Sequence, residues 1–169
     1  MQIVGREELR ILMAKEPGKY KAIIIHEYNH PEDVSDIVRN CKKSVLLSMD
    51  DITSGRLGSP TKEQVKQVME LQDFDYVACK QGISRSSAIA YLIACKDEEP
   101  SEAVKVLDHT KHFPNELILK HGLDLWEEVG AEQSFIDDFK NVTTDFYNRI
   151  AEYRGWKRHP HNLVSKYFK

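Results

Sequence analysis

In the stretch VACKQGISRSSAIAYLIA, from Val77 to Ala94, a short apolar run ends at Cys79, a loop of small and polar residues follows, and Arg85 opens a helical pattern. Ligands of open parallel sheets collect beyond the carboxyl ends of the strands, where Cys79 is expected to lie. The backbone N–H groups of Lys80, Gln81, Gly82, Ile83 and Ser84 can converge there on one point, backed by the positive end of the helix dipole. That arrangement binds anions, phosphate most naturally. Gly82 suits a loop that must curl tightly, because it tolerates backbone angles other residues resist. Arg85 adds a planar fork able to hold two oxygens of one phosphoryl group. An ordinary cysteine, with a pKa of about 8.5, is only a few per cent thiolate at neutral pH, whereas helix N-termini and basic neighbours lower it to roughly 3.5–7.5. Cys79 so activated can attack phosphorus in line and form a phosphocysteine, while the loop amides and Arg85 hold the equatorial oxygens. Ser86 is placed to donate a hydrogen bond to the sulfur and ease its departure.

Such a reaction needs an acid to protonate the leaving oxygen. SMDDITSGRLGSP (Ser48–Pro60) offers Asp50 and Asp51 on a Gly- and Ser-rich segment that follows another apolar run, as a mobile loop at the same sheet edge would. Either carboxyl can serve, first as acid and then as base toward water. Lys80 and Gln81 fall on the rim of the loop, where the lysine can meet a second negative group. His109, Lys111 and His112 precede Pro114-Asn115 and read as a solvent-exposed helix end.

CKQGISRSS resembles the C-x5-R signature of the cysteine-dependent protein tyrosine phosphatases, and its GISRS portion is similar to the dual-specificity subgroup. SSAIAYLIA and HFPNELILKHGLDLWEE, with its Pro-Asn pair, are similar to the corresponding helices of that subgroup, so the resemblance spans roughly residues 44–128. It implies Cys79 as nucleophile, Arg85 as phosphate clamp and an upstream Asp as general acid. Asp50 and Asp51, 29 and 28 residues before Cys79, both suit the family's spacing. The family usually has His before the nucleophile; here it is Ala78, which implies a Cys79 pKa less depressed than is usual and activity that falls below neutral pH. A catalytically weak relative that reads phosphorylated partners is the alternative. A sulfurtransferase or an arsenate-reducing enzyme on the same loop is a more distant one, since neither Cys41 nor Cys95 is close enough in sequence to resolve a disulfide.

The elements that must hold these residues alternate in the first half. KAIIIHE (Lys21–Glu27), SVLLSM (Ser44–Met49) and FDYVAC (Phe74–Cys79) are nearly all apolar, as strands covered on both faces are, with QIV (Gln2–Val4) as a possible edge. Between them REELRILM, PEDVSDIVRN and PTKEQVKQVMELQ read as helices, the last with Ser59 as N-cap and Pro60 at its first position. The fold class expected is α/β, a single domain over 1–169 with a mostly parallel sheet flanked by helices and a helical second half, phosphotyrosine protein phosphatase-like by resemblance. Helices are expected over Ser86–Lys96, over Ser101–Lys111 with Ser101 as cap, and over Pro114–His121 ended by Gly122. From Ala131, Phe135, Phe139, Val142, Phe146, Ile150 and Tyr153 recur at helical spacing and predict a long amphipathic helix packed on the core.

Composition narrows the function classes. The 169 residues are 41% hydrophobic with a formal net charge of −3, enough for one core and ill matched to coating nucleic acid or an anionic membrane. YRGWKRHPHNLVSKYFK (Tyr153–Lys169) gathers Arg154, Lys157, Arg158, Lys166 and Lys169 among Tyr153, Trp156, Tyr167 and Phe168, a weak footprint read as a packed helix end. Cys41, Cys79 and Cys95 show no close pairing or zinc spacing, so reduced thiols, no cofactor and no metal are expected, with Cys41 and Cys95 structural. With no membrane span or export signal in the pattern, the expected setting is cytoplasmic, and the expected partner is a phosphorylated protein or small phosphomonoester.

Overall fold

The computed structural model describes residues 1–156. Its centre is a sheet of four parallel strands, β1 (Gln2–Gly5), β2 (Lys21–His26), β3 (Lys43–Ser48) and β4 (Tyr76–Cys79), in the order β1-β4-β2-β3. β4 is an inner strand with all four residues buried, which explains its unbroken apolar run. The period-2 alternation of side chains divides the core. Val4, Ala22, Ile24, Tyr76 and Ala78 meet Leu9 and Met13 of α1 (Arg6–Lys15) and Ile37 of α2 (Ser35–Asn40) on one face. Ile23, Ile25, Leu47, Val77 and Cys79 join the larger cluster on the other, with α3 (Lys62–Met69), α4 (Arg85–Ala94), α6 (Glu116–Glu128) and α7 (Gln133–Tyr153). The expected α/β architecture is therefore present. Ala78 and Cys79 point to opposite faces, and Ala78 is fully buried against the α1 side.

α4 is buried from Arg85 through Leu92, so it is a core helix that sends its N-terminus straight to the sheet edge. α7 carries the aromatic stripe read from the sequence: Phe139, Phe146 and Ile150 are buried, Phe139 stacks on Tyr91 of α4 with ring centroids 5.3 Å apart, and only Tyr153 at its end is well exposed. Residues 157–169, and with them most of the basic C-terminal stretch, lie outside the described residues. No helix of the described residues is long and apolar enough to cross a membrane.

Several boundaries differ from the sequence expectation, for local reasons. α2 begins at Ser35, not at Pro31. α3 is capped by Thr61 rather than Ser59: Thr61 and Gln64 form a reciprocal capping box, while the Ser59 hydroxyl donates to the Ser54 carbonyl. The helix expected over Ser101–Lys111 is only α5 (Pro100–Ala103) followed by a 3-10 turn at Val104–Val106, and Glu99, not Ser101, precedes it. α6 runs through Gly122 to Glu128 because Gly122 lies against Leu92 of α4, where a Cβ would overlap that side chain; the glycine permits helix packing and does not end the helix.

Candidate active site

β4 ends at Cys79, level with Gly5 of β1, and the chain turns through residues 80–84 into α4. Gly82 has φ +72, and a Cβ there would sit 2.6 Å from the Val4 carbonyl carbon and 2.8 Å from the Gly5 nitrogen, so only glycine fits this turn. Three of the loop's carbonyls are held by hydrogen bonds. Lys80 O accepts from Arg6 N (3.4 Å), Ile83 O from Phe113 N (3.0 Å), and Ser84 O from Asn115 N (3.2 Å) and Ala88 N (3.1 Å). Ser87 Oγ also donates to Ile83 O and Ser84 O. The backbone amides of Ile83 and Ser86 hydrogen-bond to the Cys79 sulfur.

Cys79 is buried, and its Sγ lies 3.1 Å from the hydroxyl of Ser86, itself fully buried. Burial alone would raise the thiol pKa. The hydrogen bonds from the Ser86 hydroxyl and the Ser86 and Ile83 amides, with the Arg85 charge, outweigh it and leave the pKa below the ordinary value. The cavity above the sulfur is about 310 Å³ and is lined by Asp51, Cys79, Lys80, Gln81, Ile83, Ser84 and Arg85. Lys80 and Gln81 are exposed on its rim.

Arg85 is 4% exposed and held from two sides: Nη1 donates to the Met49 carbonyl (2.8 Å) and Nη2 to Glu27 Oε1 (2.9 Å), while the buried Nε has no partner. A second buried arginine shares that carboxylate, with Arg6 Nη2 2.7 Å from Glu27 Oε2 and 2.8 Å from Glu32 Oε2. Burial works to raise the Glu27 pKa, but hydrogen bonds from Arg85 and Arg6 more than offset it and bring the value to about 2. The carboxylate thus fixes the guanidinium plane and leaves the Arg85 Nε–H without a partner. Sequence reading missed Glu27 and Arg6. Glu27 was read as the end of a strand and Arg6 as a helix residue, and only the parallel register, which sets Ile24 beside Ala78, carries Glu27 alongside the loop.

The two candidate acids part company. Asp51 lines the cavity, and its Oδ1 accepts from Ser84 Oγ (2.7 Å) and Asn115 Nδ2 (2.9 Å). Asn115 also caps α6, its Oδ1 accepting from the Leu117 and Ile118 amides, so the Asp51 loop is tied to both helix starts. The Asp50 carboxylate instead accepts from the Tyr28 and Asn29 amides (2.9 and 3.3 Å) and from the Asn29 side chain, and it is not among the residues lining the cavity. Asp50 braces the segment after β2. His112, expected at a solvent-exposed helix end, is instead 9% exposed; its Nδ1 accepts from the Asp108 amide, and burial pushes its pKa down. His109 lies near Arg149, and Lys111 is 3.7 Å from Asp108; neither lines the cavity. Cys41 and Cys95 are free thiols away from the site.

No family model matches the chain, and no curated protein matches it. Among solved structures it is similar to one described as the crystal structure of Tk-PTP in the active form, at 13% identity over 83% of this chain and 87% of that one, with a TM-score of 0.42.

Proposed function

We propose that the chain is a phosphomonoester hydrolase of the cysteine-dependent protein tyrosine and dual-specificity phosphatase kind, working through a phosphocysteine. The carrying observation is a buried thiol with lowered pKa at the floor of a cavity lined by the amide-bearing loop and Arg85, with the Asp51 carboxyl also in its wall. The phosphoryl group enters with its equatorial oxygens on the loop amides of residues 80–84 and on the unpartnered Nε–H of Arg85. The Cys79 thiolate attacks phosphorus as the ester P–O bond breaks, and Asp51 gives its proton to the departing oxygen. Asp51 then takes a proton from water, the water oxygen attacks phosphorus, and the P–S bond breaks to return the thiolate. Ser86, 3.1 Å from the sulfur, stabilises that thiolate as it leaves. In this reading Asp51, not Asp50, is the general acid, because only Asp51 lines the cavity with the thiol.

Hydrolysis of a small aryl phosphate in EDTA tests this. Cys79→Ser and Arg85→Ala should each cost about a thousandfold or more in kcat/KM, and Asp51→Asn about a hundredfold in kcat. Asp50→Asn should cost far less than Asp51→Asn. If wild type is no faster than Cys79→Ser while inorganic phosphate still binds, the loop is a phosphate-reading module and the hydrolase reading falls.

A further inference from the structure

The cavity that holds Cys79 continues past Asp51. Asp51, Ile83 and Ser84 also line a second cavity of about 680 Å³, walled further by Ile52, Phe113, Pro114 and Arg154. An in-line displacement puts nucleophile and leaving oxygen on opposite sides of phosphorus. With the sulfur at the floor, the leaving oxygen stands at the mouth beside Asp51, and the body of the leaving group extends into this second space.

The lining defines what fits there. Ile52, Phe113 and Pro114 give an apolar wall. Arg154, at the C-cap of α7, lies with its guanidinium carbon 5.6 Å from the Phe113 ring centroid and 5.2 Å from that of Trp156, both within cation–π reach. Two aromatic neighbours restrict the guanidinium, and a planar carboxylate matches its N–H fork. None of the ion pairs among the described residues involves Arg154. Glu116, the acidic residue in the same wall, has an interaction of its own. A polyphosphorylated small molecule would bring several more charges than this single cation can answer; a peptide brings an apolar stem and one carboxylate.

We propose that this second cavity is the leaving-group subsite, that Arg154 is its specificity-determining residue, and that the substrate is a phosphorylated peptide with an acidic side chain beside the phosphorylated residue. This rests on the hydrolase reading of the Cys79 site.

The test uses two phosphotyrosyl peptides identical except that glutamate or glutamine flanks the phosphotyrosine on both sides. In wild type, kcat/KM for the glutamate peptide should exceed that for the glutamine peptide by about fivefold, the size expected of one exposed ion pair. Arg154→Gln should bring the ratio to about one, Arg154→Glu should invert it, and Arg154→Lys should restore part of it. Because the readout is a ratio within each variant, a general loss of activity does not mimic it. A ratio that is unchanged in Arg154→Gln overturns the proposal, as does a wild-type ratio of one. So does a preference for an inositol phosphate over both peptides that survives in Arg154→Gln. Should wild type hydrolyse the aryl phosphate but neither peptide, the peptide substrate is overturned; should it hydrolyse none of the three, the hydrolase reading fails, and the same ratio is read from calorimetric binding, where insensitivity to Arg154→Gln again overturns the subsite.

Discussion

A cysteine lies beyond each end of α4, Cys79 at the end of β4 ahead of the loop that enters it and Cys95 at its C-cap, both buried in the same core cluster. Burial pushes both thiols toward a higher pKa, yet Cys79 ends below the ordinary value and Cys95 far above it. The two ends of the helix account for the difference. At the N-terminal end, amide donors, a hydroxyl and a guanidinium surround the sulfur; at the C-terminal end the hydrogen bond with Tyr91 is outweighed, and Asp138, Glu98 and Glu99 add to the effect of burial. Burial therefore does not decide whether a thiol is a nucleophile. The sign of the local field does.

The largest way to break this comparison is alkylation. Iodoacetamide at neutral pH, followed by peptide mass spectrometry, should label Cys79 about a hundredfold or more faster than Cys95. Because the Cys79 pKa is lowered, its reactivity should persist above its folded-state pKa and fall away as pH drops through it. Comparable labelling of the two thiols would mean that the field at the N-terminal end does not outweigh burial.

A second test concerns the cation that helps set that field. The Glu27 pKa of about 2 lies below its ordinary value of 4.5, so the carboxylate contributes stability above pH 4.5 that is lost as pH falls from 4.5 toward 2. The shift corresponds to on the order of 3 kcal/mol as an upper figure. Urea unfolding of wild type and Glu27→Gln should therefore differ most near pH 7, and the difference should shrink as pH falls below 4.5 and vanish only toward pH 2. A difference that does not depend on pH would show that the charge on Glu27 is not what holds Arg85 and Arg6.

Ser86→Ala sharpens the comparison at smaller scale. Loss of the 3.1 Å hydrogen bond should raise the midpoint of the Cys79 alkylation profile by about one unit, a tenfold drop in thiolate at a pH below both midpoints. An unmoved midpoint would leave the amides and Arg85 as the whole cause.

The loop itself was legible in the sequence because its physics is local. A strand end, a glycine forced to φ +72, an arginine opening a helix and a serine one turn away all sit within eight residues. The inner strands β2 and β4 and the long α7 stripe were legible for a related reason, since burial on both faces or on one stripe writes itself into apolar spacing, whereas the equally apolar β3 is an edge strand with Leu46 exposed. Helix ends were less so, since Thr61 and Gln64 won the cap from Ser59 through a reciprocal pair, and Gly122 reads as a stop until Leu92 is seen beside it.

What the sequence by itself determined was the glycine-containing loop between β4 and α4 and the thiol at its start. What only the tertiary structure decided was everything that reaches that loop from elsewhere in the chain. Asp50 and Asp51 are adjacent and chemically the same, and they separate only because one carboxyl turns to Ser84 and Asn115 and the other to Tyr28 and Asn29. Glu27, 58 residues from Arg85, meets it through parallel strand pairing and also binds Arg6, 79 residues from Arg85. Arg154, from the end of the last described helix, reaches the neighbouring cavity only because α7 packs back on the core. Local geometry is encoded by neighbouring residues, while charge partners separated by long loops are chosen by the register and packing that bring them together.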